Sequence, residues 1–435
     1  MNYPSLPNLN HLSKQLHLQS QLKHEYGSTG IDAVLAKAGN ALQTALSELE
    51  GLPVDEALAR QEPSALAEIQ ALRPDGPRRL WDTLDPATYA ERVEGALLGR
   101  FAGCTLGAPV EFWPVDKMAA WAEEIDGPFP PTDYWSEITD RHQLRYNRSR
   151  RDAYTRDLMD GVPVDDDVTY TLLGLLILED HGPDFTVADV GAAWLKYLPM
   201  ACTAEAVALG NLRKGLPAEE VGAVGNPYCE WIGADIRADP WGYLAPGWPE
   251  KAAELAWRDA YISHRRNGIY GEMFFAAAIS AAFAVDDPIE AMEIGLTEIP
   301  AECAMAKAVR WALDTASDIT DYKVARETVN EHFVGMHPVH TINNACLTIW
   351  GLTIGRRDFT KVISETVAMG LDNDCTAATA GSLCGAIVGA AGIPPHWTAP
   401  FNNKVLTYMN DHPEFAIDDV VKRFTAQAQR VFGDA

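Results

Sequence analysis

Apolar residues recur at three- and four-residue steps along most of the chain. Ile31, Val34, Leu35, Ala38, Leu42, Ala45, Leu46 and Leu49 trace one face of an amphipathic helix that ends near Gly51-Leu52-Pro53. More helix is expected over 56–72, and Arg73-Pro74-Asp75-Gly76-Pro77 is a turn-rich link. From Tyr89 the pattern changes to glycine at every fourth position, 95, 99, 103 and 107. Each such glycine costs a helix about 1 kcal/mol, so the stripe implies a neighbouring helix packed against it. That helix should stop before Pro109 and leave Glu111 on a loop. Residues 113–161, rich in Trp, Pro, Asp and Arg, read as a long irregular excursion, a feature of functional lids or of disorder. The run from Tyr170 to Leu178 is apolar on all sides, as a central helix requires, and Ala377–Ala391 reads as a buried helix of very small residues. Helical segments separated by Gly/Pro breaks fill much of the chain between 187 and 317, and alternating β-branched runs are nearly absent. The expected class is all-α, with a helical extension over 1–85 and a larger all-α domain over 86–435.

Composition narrows the function. A formal net charge of -26 repels phosphate backbones and anionic headgroups, which argues against nucleic-acid and membrane-surface partners. The seven cysteines are scattered without a C-x-x-C spacing, so neither a zinc site nor a disulfide framework is supported and a reducing cytoplasm is expected. No basic region followed by an apolar stretch opens the sequence, so no signal peptide is expected. Phosphate-binding P-loops, G-x-S-x-G elbows and EF-hand loops are missing.

Two acidic knots stand at the starts of apolar helices. One is Asp165-Asp166-Asp167; the other is Asp372-Asn373-Asp374, followed by Cys375 and Thr376. Carboxylates are favoured at helix N-termini, and capping alone accounts for either knot by itself. Two of them, however, suggest a shared cation, because buried like charges raise one another's proton affinity unless a cation compensates. Hard oxygen ligands select magnesium, calcium or manganese. Two clusters of this kind can clamp two ions roughly 3.5–4 Å apart. The polar turn Ser263–Glu272 between apolar helices is costly unless wet or ligand-bound, so His264, Asn267 and Tyr270 are expected to line the same cleft. A structural hydrogen bond is the competing account of His264.

Gly95-Ala-Leu-Leu-Gly99 through Gly107-Ala-Pro-Val-Glu111, then Asp165-Asp-Asp167, then Gly370-Leu-Asp372-Asn-Asp374-Cys-Thr-Ala-Ala378 resemble, in this order, the three signatures of the ADP-ribosylglycohydrolase family. The resemblance covers roughly residues 90 to 400. It implies a compact helical fold with a dinuclear magnesium site, and hydrolysis of an N- or O-glycosidic bond to the ribose of an ADP-ribosyl compound, small-molecule or protein-linked. The family's Thr-Asp-Asp-Thr and Asp-Thr-Asp-Thr would place metal ligands at Asp165, Asp166, Asp167, Asp372, Asp374 and Cys375, with Glu111 at the same site. Glu111, Asp166 and Asp374 are the expected catalytic groups, and His264, Asn267, Tyr270 and Asn373 the expected substrate contacts. This chain departs from the pattern at Cys104, where the family has aspartate, and at Asp165, Val168, Asn373 and Cys375, where it has threonine. Sulfur is a poor ligand for magnesium, so Cys375 is expected to pack beside the site, with Mn2+ or Ca2+ as alternatives to Mg2+. Two other readings stay open: hydrolysis of a different ribosyl or nucleoside-like molecule, and a catalytically silent module that binds ADP-ribose or metal.

Overall fold

A computed structural model describes Tyr3 and residues 7–433. Residues 1–2, 4–6 and 434–435, at the outer ends of the segments expected at 1–85 and 86–435, lie outside the described residues, and with them the start of the chain that was read for a signal peptide. Helices dominate, and the strands among the described residues are two short antiparallel ladders, so the fold is all-α. No helix among the described residues is long and apolar enough to cross a membrane.

The chain divides into two compact units, Met1–Arg60 and Gln61–Ala435. In the first, the periodic segment forms the helix Ile31–Glu50, preceded by a second helix, Asn10–Glu25. Neither helix buries a residue. A groove lined by leucines, among them Leu9, Leu12, Leu16 and Leu22, runs along this hairpin and carries no ionisable side chain.

The second unit is built on a pair of helices, Pro86–Gly107 and Asn373–Val388. Their sequences dictate how they meet. A Cβ added at Gly95 would lie 2.4 Å from the Gly385 carbonyl oxygen, one at Gly99 2.2 Å from that of Gly381, and one at Gly103 2.0 Å from that of Ala377. At Gly107 it would lie 2.5 Å from Asp374 Cα. The partner number falls as the glycine number rises, so the helices run antiparallel, backbone against backbone. Only glycine permits this approach, and the fourfold stripe is therefore a docking register. That register sets the C-terminal end of the first helix, and Glu111 just beyond it, against the N-terminal end of the second.

Around the pair pack the wholly buried helix Asn267–Ala282, together with Thr341–Gly355, Phe359–Met369 and Ile417–Gly433. The helix Asp166–His181 is buried from Asp167 through Leu178, as its apolar circumference requires. The polar segment expected to be a turn over 263–272 differs in the structure. From Asn267 onward it is already helical, because the buried Glu62 accepts from the Asn267 side chain and Asn267 in turn caps Met305 N. Partners distant in sequence thus satisfy its polar groups.

Candidate active site

Each acidic knot begins a helix, but the two use their carboxylates differently. Asp165 is the N-cap of Asp166–His181, and its Oδ1 accepts from Asp167 N at 3.2 Å. Capping accounts for half of that carboxylate. Asp372 is the N-cap of Asn373–Val388, yet its side chain makes no capping bond. It is delivered there by a strained turn in which Gly370 and Leu371 both have positive φ, 72° and 63°. A leucine in this region costs on the order of 1 kcal/mol or more, and such strain gathers at functional sites. The turn is pinned by Phe112 N, which donates to Leu371 O at 3.1 Å, and by Asn344 Oδ1, which accepts from Asp372 N.

The knots converge. Arg145 Nη2 lies 2.9 Å from Asp165 Oδ2 and 3.0 Å from Asp374 Oδ2, while its Nη1 donates to Glu111 Oε2 at 2.7 Å and to Ala108 O at 2.8 Å. One guanidinium therefore bridges three carboxylates from three separate elements. It reaches them from a hairpin in which Leu144–Arg145 pairs with Ser149–Arg150. Tyr146, on the turn, donates to Asp166 Oδ1 at 2.6 Å. Asp167 pairs instead with Arg100, which rises from the glycine-striped helix and also grips Asp239.

Ligand atoms of Glu111, Asp372 and Asp374 all lie within 4.8 Å of one another, as do those of Cys104, Asp165 and Asp167. Asp374 Oδ1 is buried without a partner. An orphaned carboxylate oxygen among hard-oxygen neighbours fits a divalent cation. Electrostatics point the same way: the Asp374 carboxyl is pushed up to about 8, first by burial and then by Glu111 and Asp165, with Arg145 opposing. Burial also lifts Asp166, Asp167 and Asp372 well above the carboxylate range, with neighbouring carboxylates adding to it. The site is short of positive charge.

The other expected residues lie as follows. Cys375 is buried in the apolar core, its thiol raised by burial, and the sulfur that joins a ligand group is Cys104. Asn373 donates its amide to Val367 O at 3.0 Å and leaves its Oδ1 buried without a partner. Asn267 bonds to Glu62, Glu230 and Met305 N, and Tyr270 donates to Pro63 O. His264 is fully buried, its Nδ1 on Ser263 and its proton affinity held well below normal by burial and by Arg237. The structure thus sets Asn267 and Tyr270 against Glu62 and Pro63, and His264 against Ser263. Arg145, Tyr146 and Cys104 carry no expectation from the sequence. The signals for them were the long excursion, which called for a function, and the departure at Cys104.

Beside the carboxylates, a groove of about 310 Å³ is lined by Phe112, Trp113, Arg326, His337, Val339 and Leu371. Phe112 and Leu371 adjoin Glu111 and Asp372 in the chain, so the groove opens next to the acidic site.

The model of the ADP-ribosylglycohydrolase family matches residues 85–430. Among solved structures, one titled an ADP-ribosylglycohydrolase-related protein complex superposes with a TM-score of 0.52 at 19% sequence identity, covering 79% of this chain and 99% of that one. That likeness establishes the fold. No curated protein sequence matches the chain.

Proposed function

The chain belongs to the ADP-ribosylglycohydrolase family, a family of hydrolases, and on that premise we propose that its acidic cleft cleaves the glycosidic bond to ribose in an ADP-ribosyl compound with divalent-metal assistance. The observation that carries this reading is the meeting of Glu111, Asp165 and Asp374 at one point, with Asp374 Oδ1 unpartnered. Glu111, Asp372 and Asp374 would hold a hard divalent cation, and Asp165, Asp166 and Asp167 are the carboxylates for a second. When bound, such ions supply an acidified water and polarise ribose hydroxyls.

The side chains do the rest. The Glu111 side chain is 24% exposed where those of Asp165 and Asp374 are 1% and 3%, so it is the carboxylate of the set that substrate and water reach most readily. That suits it to take the proton of the attacking water and to return one to the leaving group. Asp374 sits deeper and serves as ligand and charge. In the neighbouring groove His337, one face of which stacks on Trp231 at 4.0 Å, presents its other face for a base, and Arg326 offers a cation for a diphosphate.

The test is release of ADP-ribose from ADP-ribosylated peptides and from O-linked ADP-ribosyl compounds, with Mg2+, with Mn2+ and with a chelator. Metal-dependent release that Asp374→Ala abolishes, with helical circular dichroism retained, is the expected result. Turnover indifferent to the chelator would refute metal assistance, and release from other ribosyl compounds alone would refute the adenylate.

A further inference from the structure

The hairpin around Arg145 has a geometry that structural packing alone does not call for. Arg145–Arg148 is a tight turn, closed by Arg148 N donating to Arg145 O at 3.0 Å, with Tyr146 and Asn147 at φ 50° and 55°. Two positive φ angles mark a type I′ turn, whose central positions favour Asn and Gly; a tyrosine at the first is unfavourable unless its side chain is held. It is held, by Asp166 through its hydroxyl and by Tyr408 through ring stacking at 5.5 Å. The turn thereby aims Arg145 into the carboxylates. Its guanidinium uses both terminal nitrogens on Glu111, Asp165, Asp374 and Ala108 O, while its Nε is buried without a partner. A guanidinium in a pocket shaped for its own fork would satisfy that donor too. The rings of Tyr146 and Tyr154, 5.5 and 5.7 Å from the guanidinium, hold it over three carboxylates with one donor left over.

We infer that Arg145 is a built-in counter-cation, occupying one cation position of the cleft by bridging Glu111, Asp165 and Asp374, so that a divalent ion at Glu111, Asp372 and Asp374 must compete with it. The inference rests on the metal-binding reading above. Two of the three ligands in that group, Glu111 and Asp374, are already engaged by Arg145. An ion entering there meets a fixed positive charge a few ångströms away in a poorly screened setting. Removing that charge should tighten the ion or admit one more.

The experiment is titration of the full chain with Mn2+ alone, followed by calorimetry and by the electron paramagnetic resonance of free Mn2+, for wild type, Arg145→Gln and Arg145→Lys. Arg145→Gln should bind Mn2+ with a dissociation constant lower by about tenfold or more, or take up an additional equivalent. Arg145→Lys keeps the charge that neutralises the cluster, so it guards against a folding defect, yet its single ammonium cannot bridge three carboxylates, and it should fall between the other two. Equal stoichiometry and affinity in all three proteins would overturn the inference and leave metal binding standing. Weaker binding in Arg145→Gln would overturn it by making Arg145 an organiser of the site. Absence of Mn2+ binding in every protein would overturn the inference and the metal reading together.

Discussion

Gly103→Ala tests whether the glycine stripe is the register that builds the site. The added Cβ would lie 2.0 Å from the Ala377 carbonyl oxygen and 2.4 Å from its carbon, where ordinary contact begins near 3.4 Å, so the two helices must part by more than an ångström at this level. Because the obstacle is backbone, no side-chain rotation relieves it. Overpacking costs typically 1–3 kcal/mol, and the upper end applies here. Against it stands the helix propensity gained by alanine, about 1 kcal/mol. The net loss is therefore about 2 kcal/mol, a fall in melting temperature of roughly 4–8 °C for a domain of moderate size and somewhat less for this larger one. Gly210 supplies the control: it lies in the helix Thr203–Arg213, and a Cβ there meets nothing within 4 Å. Gly210→Ala should be neutral or stabilising by up to about 1 kcal/mol. Activity gives a second readout, since Asp374 lies in one of the two helices and Glu111 follows the end of the other, and a 1 Å displacement can cost about a hundredfold in rate. Thermal unfolding followed by circular dichroism, paired with ADP-ribose release, decides the matter. A Gly103→Ala protein as stable as Gly210→Ala would refute the register argument.

The metal-free protein should lose stability as pH rises. Burial, Glu111 and Asp165 push the folded Asp374 carboxyl up to about 8 from the ordinary 3.8, so the folded state holds an extra proton between those values and its contribution fades as pH climbs through the upper one. The melting temperature should fall from pH ~5 to 8 in chelator and stay flatter in saturating Mn2+; a rise across that window without metal would contradict the assignment. Asn267→Ala should destabilise by about 1–3 kcal/mol, because Glu62, Glu230 and Met305 N lose a buried partner, while leaving KM unchanged for any accepted ribosyl compound. A raised KM with unchanged stability would return Asn267 to the substrate.

The helices were legible where one face or the whole circumference was apolar. Ile31–Glu50 follows its leucines, and the glycine stripe announced a close partner, though not which one. Identifying that partner needed the second run of small residues, and the match of Gly99 to Gly381 is a tertiary fact that spacing within one segment does not encode. The segment 263–272 misled because polar residues between apolar helices look solvated, and the carboxylate that buries Asn267 comes from position 62, some two hundred residues earlier. Asp372 and Asp374 could be singled out from their place before a small-residue helix, but whether Asp372 capped that helix or faced a cation depended on the turn at Gly370-Leu371. The structure shows no capping bond from Asp372, and its carboxylate lies instead in one group with those of Glu111 and Asp374.

Arg145 marks the limit of local reading. Nothing in Leu144-Arg145-Tyr146-Asn147 distinguishes this arginine from the others of the excursion, and its meaning comes only from what the hairpin brings it to. One departure did carry the information in outline. Where the resembling signature has threonine, this chain has Asp165, which adds a carboxylate to a site already rich in them. Buried, uncompensated charge is expensive enough that an added negative group predicts an added positive one nearby. In the structure the two meet, Arg145 Nη2 2.9 Å from Asp165 Oδ2. If that pairing is the reason Arg145 is there, Asp165→Thr should loosen the guanidinium's hold and tighten the Mn2+ ion at Glu111, Asp372 and Asp374 in the wild-type background, whatever it costs a second ion, and should add little to that ion once Arg145 is already glutamine. A full, additive effect of Asp165→Thr in the Arg145→Gln protein would mean that the two residues act on the metal independently.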